Sequence, residues 1–186
     1  MRRLVVFNQI TLDGYFTGPN GDFSWAHRND PEWNAFVEGN ASGGGVLVFG
    51  RITYELMASF WPTPLALQTN SVVAERMNNL PKVVFSRTLN KAAWNNTRLV
   101  KDDIVGAIRA MKQEDGPGMA IMGSGTIVSQ LAPTGLIDEY QIVVYPVALG
   151  GGRTMFDGIN ERLDLKLTNS RTFVNGNVLL CYEPMR

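Results

Sequence analysis

Three short apolar runs hand over to glycine or serine. They are Val46-Leu47-Val48-Phe49 before Gly50-Arg51, Lys82-Val83-Val84-Phe85 before Ser86-Arg87, and Met119-Ala120-Ile121-Met122 before Gly123-Ser124-Gly125-Thr126. Continuous apolar runs of this length read as strands buried on both faces of a parallel sheet. Ligands of open α/β sheets bind at the carboxyl ends of such strands. A guanidinium at Arg51 or Arg87 can hold a phosphate there through a forked pair of hydrogen bonds. The glycines of 123–126 let backbone N–H groups approach a pyrophosphate, and the helix start that follows favours negative charge. The chemistry implied is the binding of a phosphate-bearing ligand. Val128 stands where a full G-x-G-x-x-G would have its third glycine, so a tight structural turn is the competing reading. For the two arginines the competing reading is solvated surface charge.

Fewer residues point to bond-making chemistry. His27 is the only histidine and Cys181 the only cysteine, which leaves no His- or Cys-based metal cluster and no internal disulfide. No G-x-S-x-G occurs, so a serine nucleophile elbow is absent. Asp13 precedes Gly14 at the end of the first strand. It reads either as a turn aspartate bonding its own backbone or as an acid at the site. Asp30 reads as an N-cap, and Glu32, Asn34 and Glu38 as solvated helix positions. Cys181, inside Val178-Leu179-Leu180-Cys181-Tyr182, reads as a buried strand residue.

The elements that must position these residues follow from punctuation and period. Residues 3–10 form the first strand, followed by a loop with Asp13-Gly14 and Gly18-Pro19-Asn20-Gly21 as turn signals. Asp30-Pro31-Glu32 starts a helix, which buries Trp33, Phe36 and Val37 and stops before Gly43-Gly44-Gly45. Strand 46–49 leads to a helix over 52–59, broken at Trp61-Pro62-Thr63-Pro64, and a second helical stretch lies near 68–78. Strands are expected at 82–86 and 97–101. Asp102 or Asp103 caps a helix that presents Ile104, Ile108 and Met111 on one face. Strand 119–122, a helix over 125–131, strand 137–145 and a glycine-rich loop over 146–153 come next. Strands near 162–174 and 177–183 flank Asn175-Gly176, a hairpin signal that calls for positive φ at both turn residues. Helices alternating with strands, ending in a hairpin, make an α/β domain with a mixed sheet.

Length and composition bound the rest. The 186 residues are enough for one domain, 1–186, with a proper core. Lysine plus arginine equals aspartate plus glutamate at 17 each, which gives a nucleic-acid footprint no support. No apolar run approaches the roughly 20 residues that span a bilayer. The N-terminal apolar run after Arg2-Arg3 is too short for a signal peptide, so a first strand and a cytosolic compartment are expected.

On these motifs the chain resembles the dihydrofolate-reductase-like superfamily over nearly its whole length. Val46–Met57, VLVFGRITYELM, resembles the Gly-Arg-x-Thr-Tyr/Trp-Glu segment of dihydrofolate reductases. KVVFSR at 82–87 resembles their next strand, whose end contacts the adenosine 2′-phosphate. IMGSGTIVSQL at 121–131 resembles their glycine turn beneath the pyrophosphate. GLIDEYQIVVYPVALGGGRTMF at 135–156 is closer to the reductase domain of riboflavin biosynthesis, and LDGYFTGPNGDFSW at 12–25 is similar to the loop over the nicotinamide in its small single-domain members. The resemblance implies a three-layer fold with a mixed, mostly parallel sheet of about eight strands and a C-terminal hairpin, NADPH as cofactor, and a homodimer. It implies cofactor contacts at Gly50, Arg51, Thr53, Ser86, Arg87, Gly123, Ser124, Gly125 and Thr126.

Substrate residues transfer less well. The acid of folate reductases falls near Asn34, which has no ionisable proton, and the glutamate of riboflavin-pathway reductases falls at Met122. The Asp-Asp-Pro stretch of the latter is missing, since the second strand runs directly into Arg51-Ile52-Thr53. The expected activity is therefore an NADPH-dependent reductase acting on a C=N or C=O bond of a small heterocyclic or sugar-linked molecule. Its pocket would be lined by Asn8, Gln9, Asp13, Tyr15, Trp25, the helix at 30–40 with Asn34, and the loop from Pro146 through Gly150 to Gly152. Asp13, Tyr15 or water would supply the proton. The alternative is a nucleotide-binding sensor or partner module without turnover, to which the loss of both family acids points.

Overall fold

The structure is a computed structural model and describes residues 1–27 and 30–185. In chain order the elements are β1 (Leu4–Thr11), β2 (Tyr15–Thr17), α1 (Pro31–Ser42), β3 (Val46–Gly50), α2 (Arg51–Phe60), α3 (Pro64–Thr69) and α4 (Ser71–Asn79). There follow β4 (Lys82–Phe85), β5 (Thr97–Val100), α5 (Ile104–Gln113), β6 (Met119–Met122), α6 (Gly125–Leu131), β7 (Glu139–Tyr145), β8 (Arg153–Thr154), β9 (Leu165–Thr172) and β10 (Val178–Pro184).

Eight strands form one sheet in the order β5-β4-β3-β6-β1-β7-β10-β9. Neighbours are parallel from β5 through β7, and β10 runs antiparallel to both β7 and β9. Side chains alternate between faces along each strand, and the two faces carry separate cores. Leu4, Val6, Val48 and Ile121 meet Ile108 and Met111 of α5 and Ile127 and Leu131 of α6. Leu47, Phe49 and Val84 meet Tyr54 of α2 and Val73 and Met77 of α4. A third cluster seats Trp33 of α1 against Tyr145, Phe173 and Leu179. Helix α1 is also held by Glu32, which was read as solvated: its carboxylate accepts from Arg171 Nη2 at 2.9 Å and from the Val174 N–H at 3.1 Å.

Several local expectations are revised by side-chain chemistry. The stretch near 68–78 is two helices. Thr63 and Pro64, read as breakers, open α3 as N-cap and first residue, with Thr63 Oγ1 accepting from the Ala66 N–H. Asn70 then takes an extended conformation and caps α4, accepting from the Val73 N–H at 3.0 Å. Asp103, in a left-handed conformation, caps α5 through the Gly106 N–H. At the hairpin only Gly176 of the Asn-Gly pair has positive φ. Phe173 N–H donates to Asn177 O and Gly176 N–H to Phe173 O, the pattern of a three-residue loop rather than a two-residue one.

Two lysines inside the apolar layers are held by oxygen atoms. Lys82 is 1% exposed. Its Nζ donates to the carbonyls of Asn78 and Leu80 at the end of α4 and lies 4.5 Å from the Trp94 ring. Lys112 Nζ donates to Leu136 O and to Asp138 Oδ2, and the same carboxylate oxygen accepts from the Leu4 N–H. This ties α5 to the entry of β1.

Candidate active site

Two cavities share a wall. The first, about 840 Å³, lies at the carboxyl ends of β3, β4 and β6. Gly50, Arg51 and Thr53 form one side, Ser86 and Arg87 a second, and Ser124, Gly125 and Thr126 a third. The parallel sheet brings these three segments together because each follows a strand in register with its neighbour: Gly50 pairs Phe85, and Val48 pairs Ile121. Gly123, grouped with them on sequence, lines the second cavity instead.

The turn after β6 is fixed by hydroxyl groups. Ser124 sits at φ +59°, directly after Gly123 at φ +61°. Its Oγ accepts from the buried Gly50 N–H at 2.7 Å and donates to Thr53 Oγ1 at 3.1 Å, and its N–H donates to the same Thr53 oxygen at 3.2 Å. The relay joins the ends of β3 and β6. It also gives a reason for glycine that the pyrophosphate argument lacks. A Cβ on Gly123 would stand 2.8 Å from Thr53, and one on Gly125 would stand 3.3 Å from the Phe16 ring and from Met155 O. Gly125 and Thr126 begin α6, where N–H groups have no intrahelical acceptor.

Charge around this cavity is mixed. Arg51 pairs Glu55 one turn along α2 at 2.9 Å, and Arg87 lies 3.9 Å from Asp102 with both side chains largely exposed. Exposed pairs of this kind are worth at most about 1 kcal/mol, so both guanidinium groups are free to turn to a stronger anion. Lys101 and Arg153 add positive charge that the sequence reading missed.

The second cavity, about 430 Å³, lies between the sheet and the layer of α1, α2 and α4. Asn8 and Gln9 line it, as do Phe7, Met57, Trp61 and Met122. Asn8 Nδ2 donates to the Gly123 carbonyl at 3.4 Å. Phe16, Thr17, Thr53 and Leu56 line both cavities and so form the boundary between them. Thr17 Oγ1 and Gln9 Oε1 are buried atoms without a hydrogen-bond partner.

The boundary rests on a small ribbon absent from the sequence reading. β2 pairs β8, with Tyr15 opposite Thr154 and Thr17 opposite Arg153. Gly152, at φ +142°, packs so closely that any Cβ there would overlap the Thr17 carbonyl. This close approach explains the last glycine of the Gly150-Gly151-Gly152 run.

The remaining expected site residues lie elsewhere. Asp13 Oδ2 accepts from the N–H groups of Leu149 and Gly150 at 2.9 and 2.7 Å, and Oδ1 accepts from Thr11 Oγ1 at 2.5 Å. The Thr11 hydroxyl first, then the Gly150 N–H, hold its carboxyl below the usual range. That geometry makes Asp13 an ionised clamp on the 146–150 loop, without a proton to give near neutral pH. Tyr15 lines neither cavity, while its neighbours Phe16 and Thr17 line both. Trp25 stands edge-on to Tyr145 at 5.3 Å, in the α1 cluster. Asn34 is on the exposed side of α1, which turns Val37, Asn40 and Ala41 toward the cavity. Pro146 packs beside Gly176, and Gly150 is held by Asp13. Among the described residues no group of three His, Cys, Asp or Glu could hold a metal ion, and no helix is long and apolar enough to cross a membrane.

Comparison with known proteins agrees with this architecture. A Bacillus subtilis protein, YyaP, itself uncharacterised, is 28% identical over 182 residues, covering 98% of this chain and 95% of its own. A candidate riboflavin biosynthesis protein from Shewanella sp. PV-4 superposes with a TM-score of 0.75 at 24% identity, over 99% of both chains. The deaminase/5-amino-6-(5-phosphoribosylamino)uracil reductase of Thermotoga maritima superposes with a TM-score of 0.70 at 15% identity, over 99% of this chain and 57% of that one. Dihydrofolate reductase from Enterococcus faecalis, complexed with NADP(H), gives 0.67 at 16% identity, over 99% and 97%. The family model for the RibD C-terminal domain matches residues 2–179. With a dihydrofolate-reductase-like sheet beneath a glycine turn locked by Ser124 and Thr53, the chain belongs to the RibD C-terminal domain family.

Proposed function

We propose that the protein is an NADPH-dependent reductase of small molecules, acting on a C=O or C=N bond. The observation that carries this reading is the meeting of two unlike cavities at Phe16, Thr17 and Thr53. The larger, at the strand ends, has Arg51, Arg87, Lys101 and Arg153 in its lining, and the other, beneath α1, has Arg3 alone of the charged residues described. A nucleotide needs the first and a reducible partner the second. Family membership and the NADP(H)-bound structural neighbour support the same assignment.

A dinucleotide phosphate fits the donors present. Arg51 and Arg87 stand where guanidinium groups can fork onto a phosphate, with Arg153 across the cavity and the free N–H groups of Gly125 and Thr126 at its floor. A bound reduced nicotinamide nucleotide supplies a hydride. The chain contributes position and environment. Thr53 and Ser124 hold the floor rigid, and Phe16 and Thr17 close the boundary. The buried Thr17 hydroxyl stands ready to donate to a substrate oxygen or nitrogen. With Asp13 held as a carboxylate, we assign the proton to water rather than to an acid of the chain. The whole site sits within one domain, 1–186, and we place the protein in the cytoplasm on its single buried thiol.

The test is NADPH oxidation, followed by absorbance, against a panel of pterins, pyrimidines and small aldehydes and ketones. Substrate-dependent oxidation that Thr17→Val lowers at least tenfold is the expected result. Tight NADPH binding with no oxidation by any partner would favour the sensor reading.

A further inference from the structure

Strand β1 lies at the centre of an eight-stranded sheet, where both faces are ordinarily covered. Its burial alternates: Leu4, Val6 and Asn8 are buried, whereas Val5, Phe7 and Gln9 are only partly so. The neighbouring β6 repeats this, with Met119 and Ile121 buried and Ala120 and Met122 partly accessible. The accessible set all faces the second cavity, under α1. The centre of the sheet thus has apolar surface that the protein's own helices leave unfilled.

The cavity is long. Register places Val5 beside Ala120 and Phe7 beside Met122, with Leu47 on the far side of Ala120. Along β1 the lining runs from Arg3 to Gln9, about 20 Å at the rise of a strand. Its middle is apolar: Val5, Phe7, Leu47, Met77, Ala120 and Met122. Among the described residues no carboxylate lines it, and the one charged residue that does, Arg3, is already paired with Glu139 at 2.9 Å and Glu183 at 3.4 Å. Among these residues a sugar phosphate or a glutamyl tail would meet no free cation, and burying an unpaired charge is costly. The unpartnered polar atoms of the described lining are Thr17 Oγ1 and Gln9 Oε1, and Thr17 also lines the first cavity. Both side chains carry hydrogen-bonding capacity that no neighbour takes up.

We infer that the cavity takes an extended, uncharged aliphatic ketone or aldehyde, its carbonyl between Thr17 and Gln9 and its chain lying along β1 toward Arg3. The placing of the carbonyl rests on the reductase reading above. In that reaction the carbonyl carbon gains the hydride of the reduced nicotinamide nucleotide, which leaves oxidised, and the oxygen gains a proton from water.

Isothermal titration of the full chain without cofactor tests it, using 2-hexanone, 2-octanone and 2-decanone, and 7-oxooctanoate as the charged match to 2-octanone. The dissociation constant should fall about fourfold per added methylene, the equivalent of ~0.8 kcal/mol of buried CH₂. The keto acid should bind at least tenfold more weakly than 2-octanone. Ala120→Leu, which narrows the middle of the cavity, should end the gain from chain length while leaving 2-hexanone unchanged. Val5→Leu narrows the same level from the facing strand and serves if the first variant does not fold. No dependence on chain length, equal binding of the keto acid, or a series unaltered in a folded Ala120→Leu protein would each overturn the inference. NADPH is titrated separately. Its failure to bind with the ketone series intact would remove the reductase reading and keep the apolar occupant.

Discussion

Replacing Ser124 with alanine isolates the relay beneath the proposed nucleotide site. The variant removes the acceptor of the buried Gly50 N–H, 2.7 Å away, and the donor to Thr53 Oγ1. A buried donor left without a partner costs about 1–3 kcal/mol, and alanine holds the left-handed backbone of Ser124 no better than serine does. Ser124→Ala should therefore destabilise the fold by about 2 kcal/mol, which at this chain length lowers Tm by about 4–8 °C. Ser124→Gly loses the same hydroxyl but relieves the left-handed conformation, worth about 1 kcal/mol after glycine's extra entropy. It should be the milder of the two by that amount. Urea unfolding followed by circular dichroism measures both. NADPH affinity should fall about tenfold or more in each, because the ends of β3 and β6 are no longer joined. An alanine variant within 0.5 kcal/mol of wild type, or more stable than the glycine variant, would refute the relay as the element that sets the turn.

Three further outcomes follow from the structure. Burial lowers the pKa of Lys82 to about 8, from 10.5 for an unperturbed lysine. Between those values the unfolded chain binds the extra proton, so stability rises with pH across that window, with a slope approaching ~1.4 kcal/mol per pH unit. Lys82→Met should flatten this rise in urea titrations at pH 7.5 to 10.5, and an unchanged slope would count against it. Because hydrogen bonds hold the Asp13 carboxyl below its ordinary value, its contribution is complete above the unfolded value of about 4 and is lost as pH falls through the lower folded one. Asp13→Asn should speed amide exchange at Leu149 and Gly150 at neutral pH. Equal rates would show that the loop needs no clamp. Finally, β9 ends the sheet with seven of its eight residues exposed. An edge of this length invites pairing, and closed two-fold dimers are the commonest assembly. Light scattering should report twice the 20.5 kDa chain mass, and a monomer at micromolar concentration would overturn the expected homodimer.

Much of the architecture was legible because strands and breaks carry local signals. Apolar runs at 46–49, 82–85 and 119–122 are strands of a parallel sheet for the reason given by their composition, and Asp30-Pro31 starts α1 as its chemistry requires. The Asn70 break was hidden because asparagine is ambiguous until its side chain finds the Val73 N–H. The β2–β8 ribbon was hidden because three residues pair with two across more than 130 positions, and no local period marks so short a match. The site divides in the same way. Gly50, Arg51, Ser86, Arg87 and Ser124 share a cavity because each closes or follows a strand of the parallel sheet. Asp13 and Trp25 look chemical in a sequence, but one is taken up by loop amides and the other by an aromatic cluster. Phe7 carries no chemical signal in the sequence, and its pairing with Met122 in the β1–β6 register puts both on the wall of a cavity. The alternation in β1 is one of burial and not of residue type, and Gln9, polar after an apolar run, was the visible mark.

If the cavity at the strand ends holds NADPH, titration of cofactor fluorescence measures it directly. One NADPH per chain should bind, at least tenfold more tightly than NADH. Charge-assisted bonds from Arg51 or Arg87 to the extra phosphate are worth roughly 1.5–3 kcal/mol each, and about 1.4 kcal/mol is tenfold in affinity. Arg87→Ala should bring the two cofactors closer together. Equal affinity for NADPH and NADH in the wild-type protein, or no binding of either, would contradict it.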